Sequence, residues 1–474
     1  MADKVPLGQI LSDLAQAAPQ QPMVTCAEET VTRAELESRA NRLARTYRRQ
    51  GVGEGDFVTV ALPNGIGFYT VMFALWKLGA VPQPISARLP ERERAAIVAL
   101  AAPRLVVTEE VADPDLDDGY LEPRVGPSWK APTSGGSTGR SKLIVSGQPG
   151  EIDPAASGTL LGQRDGGVQL VPGPLYHNAP FNFSMYGLFM GQHLVVLPRF
   201  DPVAVLEAIR RHRVDWVSFV PTMMLRVLRE LERGGGAWDL SPLEQVWHGA
   251  APCPAWLKRA WFGLVGPENV YEMYGGTEGQ MMTLINGVEW LAHPGSVGRP
   301  LWGQVKIFSP ALAEVPVGEL GEIFMRPDPG APPTYRYVGA EPRTAGDWES
   351  LGDLGRVDAD GYLYLSDRRT DLILTGGANV YPAEVEAALT EHPAVLSCVV
   401  VGLPDEDLGQ RVHALIQPDG ELTEPELRAF LSGRLVRYKI PRTFRFTDRP
   451  LRDDAGKVRR SEVRDTEARI AFSG

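Results

Sequence analysis

The sequence predicts an α/β protein: a large, multi-subdomain N-terminal α/β body followed by a small α+β domain. Three observations carry this. The chain has 474 residues, more than one compact core organises. Helix-type and strand-type hydrophobic periods alternate to about residue 365, which is the pattern of an α/β body. The last hundred residues then change character after the polar run Ser366-Asp367-Arg368-Arg369-Thr370-Asp371. The boundary is placed there, giving domains over residues 1–369 and 370–474.

The elements follow in order. Thr32 and Glu35 stand at capping-box spacing, with Leu36, Ala40, Leu43 and Tyr47 on one face, so a helix is expected over residues 32–50. Residues 51–56 read as a turn, and residues 57–62 alternate as a half-buried strand. Residues 71–78 are again helical. Near the C-terminus, residues 383–390 form a short helix and 397–401 an apolar strand. Thr423 with Glu426 caps a further helix whose inner face is Leu427, Phe430 and Leu431. No fixed-period repeat is visible.

Composition is that of an ordinary soluble chain, 43% hydrophobic and 23% charged. A net charge of −11 argues against a nucleic-acid surface, which needs a basic stripe. Cys26, Cys253 and Cys398 are far apart, with neither a CxxC pair nor Cys/His ligand spacing. That fits a reducing compartment and excludes a zinc module. Charged residues interrupt the first sixteen positions, so no signal peptide is expected. No apolar run approaches the roughly 20 residues that span a bilayer. The expectation is a cytoplasmic protein. Only eight of its basic residues are lysine, so Lys142, Lys439 and Lys457 stand out as places where a compact ammonium is needed.

The densest chemistry lies in Ser134-Gly135-Gly136-Ser137-Thr138-Gly139-Arg140-Ser141-Lys142. Glycines let backbone N–H groups turn inward and hydroxyls add donors, so such a loop can cradle a polyphosphate. The plain alternative is a flexible surface loop. Two cations and an apolar run after the loop weigh against it. The spacing is not that of a Walker A loop.

Further along come Tyr274-Gly275-Gly276-Thr277-Glu278, Gly352-Asp353-Leu354-Gly355, Arg368 with Asp371, Gly376-Gly377, and Gly456-Lys457. Taken in this order over nearly the whole chain, the motifs resemble those of the adenylate-forming superfamily. Its members are acyl- and aryl-CoA synthetases, peptide-synthetase adenylation domains and luciferases. The resemblance implies an ATP- and Mg²⁺-dependent acid–CoA ligase with CoA as co-substrate, whose small domain is mobile. Lys457, Thr277 and Glu278 would be catalytic. ATP and AMP would be held by Ser134, Gly135, Gly136, Ser137, Thr138, Gly139, Lys142, Gly249, Ala250, Ala251, Tyr274, Gly275, Gly276, Asp353 and Arg368. Glu278 is a hard oxygen ligand suited to Mg²⁺, with Thr138 beside it. Tyr274 offers a flat face to adenine, and Asp353 can accept from ribose hydroxyls. Thr370 takes the family's hinge position. Gly376, Gly377 and Lys439 are assigned to the CoA channel. Thr370, where the family often has Lys or Asp, and Ser141, where it more often has Pro, are departures.

Tyr176-His177-Asn178-Ala179-Pro180-Phe181 resembles the segment that gates the family's acyl pocket, and its wording is most like ligases for bile acids and polycyclic terpenoid acids. The expected lining is His177, Phe181, Met185, Val220, Thr222, Trp247 and Met281. None but His177 is ionisable, which favours an apolar acid over an amino acid. Alternatives are an acyl-AMP ligase that loads a carrier protein, a luciferase-like oxygenase, and a non-catalytic nucleotide- or acyl-binding protein. A homodimer is carried as a further expectation.

Overall fold

The computed structural model describes residues 4–135, 141–234, 238–453 and 456–473. Its largest sheet has nine strands, in the order Arg299–Trp302, Met282–Asn286, Val270–Gly275, Gln245–His248, Trp216–Phe219, Val168–Val171, His193–Val196, Pro22–Cys26 and Glu29–Thr32. The run from Val270–Gly275 to Pro22–Cys26 is parallel, and both margins are closed by antiparallel strands. Parallel neighbours need crossovers. The helices Asn178–Phe189, Pro202–His212, Pro221–Arg233 and Ala255–Val265 supply them. A consequence for function is that several loops open together at the carboxyl ends of the parallel strands, where open α/β sheets bind ligands.

A second parallel sheet joins Val81–Pro84, Phe57–Val60 and Leu105–Val107. Its middle strand corrects the expected alternation: Val58, Thr59 and Val60 are all buried. Helices cover both faces of such a strand, so even Thr59 points inward, where its hydroxyl donates to Gln83 Oε1 at 2.6 Å. The expected helix after it starts earlier than residue 71, at Ile66–Lys77, and is buried almost all round.

Thr133–Gly135 and Ser141–Ser146 form an antiparallel hairpin with Tyr335–Val338 as third strand. The expected phosphate-loop residues Gly136, Ser137, Thr138 and Gly139 lie outside the described residues. A further sheet holds Gly321–Arg326, Asp353–Val357 and Leu363–Arg368. Between Arg368 and Ile373 the chain leaves it for a five-stranded sheet built on Val395–Asp405 and Gly409–Pro418. That last unit has its own core, including Val385, Leu389, Val400, Ile416, Leu427 and Leu431. Both expected capping boxes are present, at Thr32/Glu35 and Thr423/Glu426. Phe430 is only partly buried beside Leu427 and Leu431.

The C-terminal unit touches the body at defined points. Arg459 pairs with Glu93 at 2.8 Å, Arg233 pairs with Asp419, and Gly456 presses against the segment Val220 to Thr222. No helix among the described residues is long and apolar enough to cross a membrane.

Candidate active site

The site is assembled where the parallel strands end. His177 follows Val168–Val171 and is the N-cap of Asn178–Phe189. Val220 follows Trp216–Phe219, Gly249 to Ala251 follow Gln245–His248, and Tyr274 and Gly275 close Val270–Gly275. Asn64 fixes the approach to His177. Its amide donates to the carbonyls of Gly173 and Leu197 and its oxygen accepts from the Leu175 N–H. Ala250 sits at φ +66°, a left-handed alanine at the first turn after its strand. A side chain at Gly249 would lie 2.8 Å from the Met273 carbonyl, so glycine is what lets these two loops approach.

Two groups of polar side chains face each other here. In the first, the Tyr274 hydroxyl donates to Asp353 Oδ2 at 2.8 Å, and Arg368 Nε lies 3.3 Å from Asp353 Oδ1. The adjacent antiparallel strands Asp353–Val357 and Leu363–Arg368 set Asp353 opposite Arg368 in register. Burial raises the Asp353 pKa, while Arg368 and the Tyr274 hydroxyl oppose the rise. In the second, the turn from Gly276 to Gly279 points Glu278 inward, leaving it 5% exposed. A side chain on Gly276 would come within 2.7 Å of Glu278 Oε2, so any residue larger than glycine would displace that carboxylate. Lys142 Nζ lies 3.4 Å from Glu278 Oε1, and the Tyr337 hydroxyl donates to the same oxygen. The Lys142 ammonium also lies 3.7 Å from the centre of the Tyr337 ring. Burial, then the Glu278 charge, drives the Tyr337 pKa well up, so it remains a donor.

Lys457 enters between these groups from the C-terminal unit. Its backbone is tied to Asp453: the Asp453 N–H donates to the Lys457 carbonyl, and the Lys457 N–H to Asp453 Oδ1 at 2.8 Å. Gly456, at φ +72°, lies so close to the body that a side chain there would meet Thr222 Oγ1 at 2.7 Å. The Lys457 side chain still reaches solvent in the cleft, yet the walls around it lower its pKa by desolvation. Asp453 raises it, Arg368 lowers it, and Glu278 raises it. His177 senses the same ammonium. Burial, helped by Lys457, pushes the imidazole down to about 3, so it is neutral at physiological pH. Its buried Nε2 has no partner among the described residues.

The structure therefore gathers Lys142, His177, Val220, Thr222, Tyr274, Glu278, Asp353, Arg368 and Lys457 around one cleft. Thr277 lies in the Glu278 turn. Trp247 is buried and stacks on Tyr271, with ring centres 5.0 Å apart, in a cluster with Ala179, Phe183, Met273 and Leu284. Like Trp247, three further residues expected to line the acid pocket are packed into cores. Phe181 and Met185, 1% and 0% exposed, belong to the core beneath Asn178–Phe189, where Phe181 meets Phe68, Trp76 and Trp129. Met281, 1% exposed, packs with Ile307, Ile323 and Leu363. A helix that caps a pocket with one face must bury its others, and a list of apolar residues does not say which is which. Gly376 and Gly377 form the turn between Ile373–Thr375 and Ala378–Val380, both at positive φ. Lys439 is held by Glu384 of its own unit at 2.6 Å, and Thr370 is exposed beside Asp371. Tyr337, Asn64 and Lys130 were not expected from the sequence. Only Lys130 gave any signal there, as another of the scarce lysines.

Comparison with known proteins adds the following. Residues 11–126 and 132–335 match the profile of the AMP-binding enzymes, and residues 384–457 match the AMP-binding enzyme C-terminal domain. A 2-succinylbenzoate–CoA ligase of Bacillus mycoides is 30% identical, over 96% of this chain and 97% of that protein. A feruloyl-CoA synthase of an Amycolatopsis species is 33% identical, over 95% and 96%. Among solved structures, the o-succinylbenzoate CoA synthetase of Bacillus subtilis in complex with its acyl-adenylate intermediate superposes with a TM-score of 0.81. It shares 26% identity, and the match covers 98% of this chain and 99% of that one. The same enzyme has also been solved with ATP and magnesium ion.

Proposed function

Since the chain belongs to the AMP-binding enzyme family, C-terminal domain included, we propose that it is an AMP-forming acid–CoA ligase acting in two half-reactions. In the first, a carboxylate oxygen attacks the α-phosphorus of ATP. The bond to the β-phosphate breaks, pyrophosphate leaves and an acyl adenylate remains. In the second, the CoA sulfur attacks the acyl carbonyl, AMP leaves and the thiol proton passes to solvent. The relatives named as a CoA ligase and a CoA synthase support this acceptor, and the solved relative's acyl-adenylate intermediate supports the first step. The observation that carries the reading is that Lys457, from a separate unit, comes close enough to Glu278, Arg368 and His177 to interact with each electrostatically.

Each residue then has a task its chemistry suits. The carboxylate is already nucleophilic, so no base is needed; what the step requires is positioning and charge stabilisation. The Lys457 ammonium lies where negative charge grows between the acid and the α-phosphate. Asp353 accepts from the ribose hydroxyls, held by Arg368 and Tyr274. Lys142, beside Glu278 at the foot of the phosphate-loop hairpin, meets the phosphates.

Glu278 fits a Mg²⁺ ligand, since this ion commonly takes one or two carboxylates and completes its shell with water and phosphate oxygens. When bound, the ion supplies neutralisation of the phosphate charge. Thr138 is the second expected ligand. Glu278→Gln removes an anionic oxygen, and the Mg²⁺ concentration for half-maximal adenylation should rise severalfold while the rate falls. A titration curve that overlays the parent's would take Glu278 out of the metal site.

His177, neutral and uncharged toward the acid, suits a gate to an apolar acyl pocket with Val220 and Thr222. An aryl or polycyclic acid is the substrate class proposed, the polycyclic end of that range resting on the Tyr176 to Phe181 segment alone. Gly376, Gly377 and Lys439 are proposed to meet CoA after the C-terminal unit turns about Thr370. The direct test is a panel of fatty, aryl, steroid and diterpenoid acids given with ATP and Mg²⁺ and no CoA. Pyrophosphate should appear with at least one acid, and AMP turnover should follow only on adding CoA. Release of orthophosphate in place of pyrophosphate would sink the adenylation reading.

A further inference from the structure

Three lysines of this chain are buried, and two of them are neutralised in the ordinary way. Lys77 is 1% exposed and pairs with Glu37, and Lys258 at 3% pairs with Glu272. Lys130 is different. It is 5% exposed, and no carboxylate reaches it among the described residues. Its ammonium donates to Asn178 Oδ1 and Asn182 Oδ1, both on Asn178–Phe189, and lies 4.5 Å from the Trp129 ring centre and 5.7 Å from that of Phe181. Burial lowers its pKa well below the lysine value, with no anion to oppose the shift. A buried amino group with only neutral partners is costly, and a hydrophobic residue would fill the same space more cheaply.

The lysine also decides which way the two amides face. Lys130 Nζ donates to both amide oxygens, so each asparagine turns its oxygen toward Lys130 and its NH₂ group away. Neither amide nitrogen has an acceptor among the described residues, and both asparagines keep part of their surface open. Four residues apart on a helix, they stand on one side, separated by about 6 Å along the axis. Asn178 directly follows His177, the residue that feels the Lys457 charge, and Asn182 lies one turn farther along. The result is a short row of amide donors, turned outward by the Lys130 amino group, on the helix that begins at the His177 gate.

We propose that Lys130, Asn178 and Asn182 form a specificity subsite for a second oxygen on the acid, a carbonyl, hydroxyl or carboxylate set away from the reacting carboxylate. The inference rests on the adenylation reading for the identity of its ligand, and narrows it: the substrate has an apolar body that carries an acceptor oxygen. Lys130 positions and polarises the amides; it takes no part in bond making.

The experiment measures binding by calorimetry and pyrophosphate release in parallel, with matched acids. The pairs are a phenylbutanoic acid with and without a chain ketone, a fatty acid against its α,ω-diacid, and a cholanic acid with and without ring hydroxyls. The parent protein should bind the oxygenated member of at least one pair about tenfold more tightly, the order expected for hydrogen bonds backed by a charge. Lys130→Met should abolish that preference and leave the apparent KM for ATP unchanged. Asn182→Asp, which gives Lys130 a carboxylate of its own, should abolish it too and weaken the diacid most. Because it adds a partner for the buried cation, this variant decides the matter alone if Lys130→Met does not fold. Equal binding across every pair, or a preference that survives in folded variants, overturns the subsite. Selective binding without pyrophosphate leaves the subsite standing and refutes adenylation; pyrophosphate without selectivity does the reverse.

Discussion

Lys457→Ala should cripple formation of the acyl adenylate, by about 10² to 10³ in rate, which is the usual cost of removing an electrostatic donor from a transferring group. Lys457, tied to Asp453, interacts electrostatically with both Glu278 and Arg368, and among the described residues no other lysine of the C-terminal unit does. Given presynthesised acyl adenylate and CoA, the same variant should form thioester near the parent rate, because the first step is already complete. Lys457→Arg keeps the charge but spreads it over a planar fork, and should recover little of the loss. The pH profile gives an independent reading. The free-enzyme pKa of Lys457 lies below the ordinary lysine value of 10.5, so the charged form is lost earlier as pH rises. The kcat/KM for adenylation should therefore fall on the alkaline side below that pH, and the fall should move upward in Lys457→Arg. Equal damage to both half-reactions in Lys457→Ala would mean the lysine serves the fold or both steps, and the separation of roles would be lost.

How much of this could be read from the residues depends on the range over which each signal acts. The capping boxes at Thr32/Glu35 and Thr423/Glu426 are local, and both are formed. The glycine-flanked motifs were legible because close backbone approach demands glycine whatever surrounds it, as Gly249 and Gly275 demonstrate. Residues whose meaning is tertiary were not legible. Tyr337 lies in a stretch rich in glycine and proline. Only the pairing of Tyr335–Val338 with Ser141–Ser146 brings its hydroxyl to Glu278. Phe181, Met185 and Met281 were read as apolar and inward, but inward meant two cores, one beneath Asn178–Phe189 for Phe181 and Met185 and one with Ile307 and Ile323 for Met281. Phe57–Val60 looked half-exposed because Thr59 is polar, and the fold instead buries that hydroxyl on Gln83. Lys130 is the sharpest case. A single lysine beside a tryptophan reads as surface, and nothing but the register of Asn178 and Asn182 on a helix forty-eight residues later gives it a role.

Gly377→Val should show the opposite kinetic pattern from Lys457→Ala. Gly376 and Gly377, at φ +57° and +81°, make the tight turn between Ile373–Thr375 and Ala378–Val380. In the arrangement that brings Lys457 to the cleft, a side chain at Gly377 would meet nothing within 4 Å. Adenylation should thus proceed near the parent rate, apart from a local strain of roughly 1 kcal/mol for a branched residue at positive φ. The thioester step is another matter. If the C-terminal unit turns about Thr370 and lays this hairpin along the path of the thiol, an added isopropyl group narrows that path. Misplacing the sulfur by about 1 Å costs on the order of 10² in rate. The variant should therefore accumulate acyl adenylate and release it slowly when CoA is added. Gly377→Ala, with the same backbone strain and far less bulk, separates the two causes: a loss that scales with side-chain size belongs to the channel. If valine and alanine slow thioester formation alike, the turn's backbone shape is what matters; if neither does, the hairpin lies off the path of CoA.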